Sequence, residues 1–105
     1  MKPWDPHKAD KNVEIGTYYF KQKNYRAAES RYQEALYWQD NSATAMFGLA
    51  QAEEKLGKIT EARKNYEGYL KLLPDGEFAG KAREALGRLK DKFSEQRSAK
   101  ATPTK

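Results

Sequence analysis

Apolar residues recur three and four positions apart along most of this chain, the spacing that gathers side chains on one face of an α-helix. Met46, Leu49, Ala50 and Leu56 form one such stripe, and Ile59, Ala62, Tyr66, Tyr69, Leu70 and Leu73 form the next. Asn41-Ser42 supplies N-cap chemistry before the former, and Gly57 can take the left-handed conformation that ends it. Pro74-Asp75-Gly76 stops the following helix. The pattern predicts helices over 10–23, 25–38, 43–56, 59–73 and 77–93, with boundaries good to about two to four residues. In the last of these, Phe78, Ala82, Ala85, Leu86, Leu89 and Phe93 share one side. Lys81, Arg83, Glu84, Arg88 and Lys90 lie largely on others. Such a helix is expected to cover the open apolar face of the hairpin before it, as stacks of helical hairpins require at their ends. A partner-binding helix, or the first half of a third unit, are the alternatives.

The chain also repeats itself. Shifted by 34 residues, Ile15 falls on Leu49, Gly16 on Ala50, Ala28 on Ala62, Tyr32 on Tyr66 and Leu36 on Leu70. The turn Gln22-Lys23-Asn24-Tyr25 falls on Leu56-Gly57-Lys58-Ile59. Gly16, Ala50, Ala28 and Ala62 are small, which lets two antiparallel helices approach closely, while Tyr32 and Tyr66 fill the space beside each crossing. The expected architecture is all-α: a solenoid of two antiparallel hairpins plus a capping helix, five helices in all. Residues 1–9 are expected to be an N-terminal tail, 10–93 the helical repeat domain, and 94–105 a basic, disordered C-terminal tail without large apolar residues.

These residues resemble the signature of the tetratricopeptide repeat, which runs large apolar, Leu-Gly, Tyr, then Ala, an aromatic and Pro. The first copy carries Ile15-Gly16, Tyr19, Ala28, Tyr32 and Ala35; the second carries Met46, Leu49-Ala50, Ala62, Tyr66 and Pro74. The resemblance covers roughly residues 9–76. Asn12, Glu53, Tyr69 and Asp40 depart from it, standing where the family usually has Trp, Tyr, a small residue and Pro. It implies a non-catalytic scaffold that binds a protein or peptide on the concave side of the stack, lined by the first helix of each hairpin. One subset of the family grips the C-terminal carboxylate of chaperones with Lys and Asn. Here Val13, Thr17 and Gly48 stand at those places, which disfavours that role. The run from Pro74 to Arg83 is briefly similar to hairpin-joining segments of bacterial envelope members of the family.

Composition narrows the field further. Formal net charge is +5, but residues 1–8 contribute +1 and residues 90–105 contribute +3, leaving +1 between. Basic excess at the ends is a weaker nucleic-acid signal than a basic stripe across a folded face, so nucleic acid is disfavoured as a partner. No run of 18 apolar residues is present for membrane insertion, and the first residues have no apolar signal core. The sequence as it stands reads as cytoplasmic, or as periplasmic had an export signal been removed. With no cysteine there is neither a disulfide framework nor a thiolate site.

Nothing suggests catalysis, a metal or a cofactor. His7, the sole histidine, is read as a solvated residue of the N-terminal tail. Glu53 and Glu54 are adjacent on a helix and point about 100° apart, so they cannot share a proton or a metal. The seven glycines occur singly, outside any phosphate-cradling pattern. The candidate site is therefore the outward surface of the first helices: Val13, Thr17, Phe20, Lys21, Phe47, Gln51, Glu54 and Lys55. Phe20 and Phe47 are candidate anchors for a partner's apolar side chains, with packing into the core as the competing reading. Gln51 and Lys55 could meet its backbone or a carboxylate. Since about three repeats are usually needed for a stable stack, self-association into a dimer, or membership of a larger envelope protein, is the alternative to a peptide-binding scaffold.

Overall fold

The computed structural model describes residues 3–101, with side chains described through residue 92. Five helices follow in order: α1 (Pro6–Lys21), α2 (Tyr25–Trp38), α3 (Ala43–Lys55), α4 (Ile59–Leu72) and α5 (Ala79–Ala101). Successive helices pack against one another, α1 with α2 and α3 with α4 as hairpins, α2 against α3 between them, and α5 against α4. No strand occurs among the described residues.

Local chemistry sets most of the boundaries. Asp5 caps α1, its Oδ1 accepting from the Lys8 backbone N–H at 3.1 Å, and Pro6 occupies the first turn, where its missing N–H has no cost. Asn24 and Ser42 do the same for α2 and α3, accepting from Ala27 and Ala45 at 3.2 Å each. The turns inside the two hairpins are equivalent. Gly57 has φ +79° and Lys23, one repeat length earlier, has φ +63°. Glycine takes that left-handed conformation freely, whereas lysine holds it against a penalty on the order of 1 kcal/mol.

Two ends differ from expectation. Helix α1 starts at Pro6 and not at residue 10, because the Asp5-Pro6 pair is a complete start signal; His7 sits exposed in its first turn and Ala9 is fully buried. At the other end α5 continues to Ala101, past the expected stop at 93. Residues 94–101 hold helix formers and neither glycine nor proline. The Phe93 side chain and residues 102–105 lie outside the described residues.

The core is layered. Phe47, Tyr66, Tyr69 and Leu89 anchor the larger cluster, between α3, α4 and α5. Ala28, Tyr32, Leu49 and Ala52 form a second between the hairpins, and Ala9, Ala35 and Ala45 a third near the start of α1. The small residues sit at the crossings as expected, with Ala28, Ala50 and Ala62 at 0% exposure. Gly48 joins them: a Cβ there would come within 2.5 Å of the Tyr32 ring, and one at Gly16 within 2.9 Å of the same ring. Tyr69, where a small residue was the norm, is buried, and its hydroxyl accepts from the Phe78 backbone N–H at 2.9 Å, fixing the α4–α5 connection.

Candidate functional site

Helices α1, α3 and α5 present side chains to one face, where two contiguous cavities open. The first, about 230 Å³, is lined by Thr17, Phe20 and Lys21 of α1, by Thr44, Phe47, Gly48 and Gln51 of α3, and by Tyr32, Phe78 and Lys81. The second, about 390 Å³, shares Phe20 and Gln51 with it and adds Glu54, Lys55, Tyr66 and Arg88. Seven of the eight candidate residues therefore meet in one groove. Val13 does not; half-buried, it packs between the Ala28–Tyr32 and Ala9–Ala35 clusters and lines neither cavity.

The two candidate anchors part company. Phe20 is half-buried, its ring edge-on to Tyr25 at 5.1 Å, and it borders both cavities. Phe47 is 6% exposed and belongs to the core. Its ring stacks on Phe78 at 4.6 Å with an 8° interplanar angle and meets Tyr66 and Tyr69 at 5.8 and 5.5 Å. An aromatic at that register packs inward because α5 brings Phe78 across it.

Polar order along the groove comes from α3. Arg88 Nε and Nη2 donate to Glu54 Oε2 and Oε1, each at 3.1 Å, and Tyr66 Oη donates to Oε1 at 2.9 Å. Burial alone would raise the Glu54 carboxyl pKa, but the Arg88 and Tyr66 hydrogen bonds outweigh it and hold the group below its usual range. Thr17 Oγ1 and Tyr32 Oη share a hydrogen bond of 2.9 Å, so Thr17 orients a buried ring as well as lining the groove. The Gln51 side-chain amide makes no hydrogen bond to another described residue and borders both cavities.

Arg88, Lys81 and Phe78 were absent from the candidate set, yet the repeat contained the signal. They lie 34 residues beyond Glu54, Phe47 and Thr44, so the register of the two hairpins runs on into α5. The α5 helix is at once the cover of the last hairpin and the third wall of the groove.

Away from the groove, two carboxylates are buried at the seam between hairpins. Glu29 pairs with Lys58 Nζ at 2.6 Å, and Glu53 accepts from Asn65 Nδ2 at 2.8 Å. Burial, reinforced by the nearby Glu29 and Glu61 charges, raises the Glu53 pKa despite the Asn65 hydrogen bond. The Glu53–Asn65 pair shows why a carboxylate is tolerated where the family usually has tyrosine. Among the described residues, no three His, Cys, Asp or Glu side chains stand together in a way that could hold a metal ion, and no helix is long and apolar enough to cross a membrane.

Burial raises the pKa of both Tyr32 and Tyr66; in Tyr66 the Glu54 hydrogen bond and charge add to it. A raised folded-state pKa favours the fold fully below the unfolded tyrosine pKa of about 10, and that stability is lost as pH climbs above it. Stability measured by urea denaturation is therefore expected to hold up to about pH 10 and then fall, by up to about 1.4 kcal/mol per pH unit per tyrosine. Tyr66→Phe is expected to make that decline shallower. An identical slope in the variant would contradict the assignment.

Stacked antiparallel hairpins with a shared lateral groove define the class as a helical-repeat protein of the α-solenoid type. Residues 44–76, spanning α3, α4 and the turn after them, match the family model described as tetratricopeptide repeat. Over those residues the chain is similar to the tetratricopeptide repeat, whose repeats generally serve protein interaction without catalysis. No curated protein matches the chain.

Proposed function

We propose that the chain is a non-catalytic scaffold that binds a protein or peptide segment along the groove of α1, α3 and α5, the concave side of the stack. The observation that carries this reading is the pair of contiguous cavities sharing Phe20 and Gln51, one a half-buried aromatic ring and the other an amide with no side-chain hydrogen bond among the described residues. An extended peptide needs both: apolar side chains want a pocket, and its backbone N–H and C=O groups want hydrogen-bond partners. Thr17, Lys21, Glu54 and Lys55 frame the same groove, whereas Val13 and Phe47 support it from beneath. Neither a reacting group nor a cofactor enters this account.

The test is capture of partners from native lysate, followed by affinity measurement on the strongest. A Phe20→Ala, Gln51→Ala double variant is expected to lose about tenfold or more in affinity, the usual scale for a central anchor with its polar neighbour. Its circular dichroism should stay helical, since Phe20 is only partly buried. Unchanged affinity in a folded variant would overturn the groove as the site. A melting temperature that rises with protein concentration would favour the self-association alternative.

A further inference from the structure

Folding sorts charge within the nearly neutral middle of this chain. Residues 9–89 hold thirteen Lys or Arg and twelve Asp or Glu, yet the groove lining holds four cations, Lys21, Lys55, Lys81 and Arg88, against one carboxylate. That carboxylate, Glu54, is already engaged by Arg88 and Tyr66. Glu29 and Glu53 are instead withdrawn into the seam between hairpins. Among the described residues none of the three lysines has an ion-pair partner. Lys21 and Lys81 border the first cavity, together with the Phe20 and Phe78 rings, and Lys55 borders the second.

From this arrangement we infer that the groove selects an acidic polypeptide segment, with an apolar side chain seated between Phe20 and Phe78 and carboxylates on either side of it meeting Lys21, Lys81 and Lys55. The inference rests on the reading of the groove as the binding site and adds the chemistry of the partner. Cations bordering an apolar seat raise the on-rate and discriminate by sign, since a basic segment would bring like charges together. The carboxylates are those of side chains within a chain and need no terminal one. A nucleic-acid strand offers negative charge too, but the Gln51 amide and an apolar seat bordered by Phe20 and Phe78 match a peptide better than a phosphate backbone.

The probe is a fluorescently labelled peptide, blocked at both ends, with one phenylalanine flanked by aspartates and glutamates. Control peptides of the same length replace the acids with lysines or with serines, and a single-stranded oligonucleotide is a fourth probe. The acidic peptide is expected to bind at least about tenfold more tightly than the serine control, with affinity falling as salt rises. Lys21→Glu with Lys81→Glu should reverse the order of the acidic and lysine peptides; both lysines are exposed, so the variant keeps its fold. Equal binding of acidic and serine peptides, with loss on Phe20→Ala, would overturn the charge selection while leaving the groove in place. Acidic-peptide binding indifferent to both Phe20→Ala and the lysine reversals would overturn the groove reading itself. Absence of binding by every peptide, or preference for the oligonucleotide, would overturn the inference.

Discussion

Phe47→Ala is expected to lower stability by about 3–5 kcal/mol and the melting temperature by about 15 °C or more, a loss large enough to leave much of the protein unfolded at 37 °C. The ring is 6% exposed and in contact with Tyr66, Tyr69 and Phe78, so truncation opens a cavity that three other rings surround. Neighbours held on α4 and on the α4–α5 connection cannot all collapse into it. Loss of binding in this variant would therefore report unfolding, and thermal denaturation followed by circular dichroism separates the two. A melting temperature within a few degrees of the parent would show that Phe47 is not the centre of the α3–α4–α5 core.

Gly48→Val should be nearly as damaging, by about 3 kcal/mol, and even Gly48→Ala should destabilise, against the roughly 1 kcal/mol that alanine gains over glycine within a helix. The added Cβ would lie 2.5 Å from the Tyr32 ring. That ring has little room to retreat: it is so close to the Gly16 backbone as well that a Cβ there would lie 2.9 Å from it, and its hydroxyl is tied to Thr17 at 2.9 Å. Gly87→Ala is the internal control, because a Cβ there meets nothing within 4 Å, and it should stabilise by about 0.5–1 kcal/mol. Opposite signs for the two glycine-to-alanine changes, read by urea denaturation, are the expected result. Equal signs would mean that Tyr32 has room the geometry denies it.

Most of the fold could be read before any coordinates because the 34-residue period, the caps and the turn residues agreed with one another. Small residues at the crossings, the αL turn at Gly57 and the stop at Pro74-Asp75-Gly76 are local statements, and local statements survive in sequence. What failed to show was longer in range. Whether Phe47 points at a ligand or into the core depends on Phe78, 31 residues away on the last connection, and no periodicity within α3 reveals that. Gly48 lies outside the family's small-residue pattern, so its contact with Tyr32 across helices became visible only in three dimensions. Arg88, Lys81 and Phe78 could have been found by extending the repeat one more unit. The candidate surface stopped at the first helices of the two hairpins, which left them out.

That helix has a second consequence. Because Lys81 and Arg88 of α5, with Phe78 just before it, form one wall of the groove while Ala82, Ala85 and Leu89 hold the same helix to the stack, whatever sits in the groove also grips the terminal element. Occupancy and fraying are then thermodynamically linked: a guest that touches α5 must suppress its detachment, and a loosened α5 must weaken the guest.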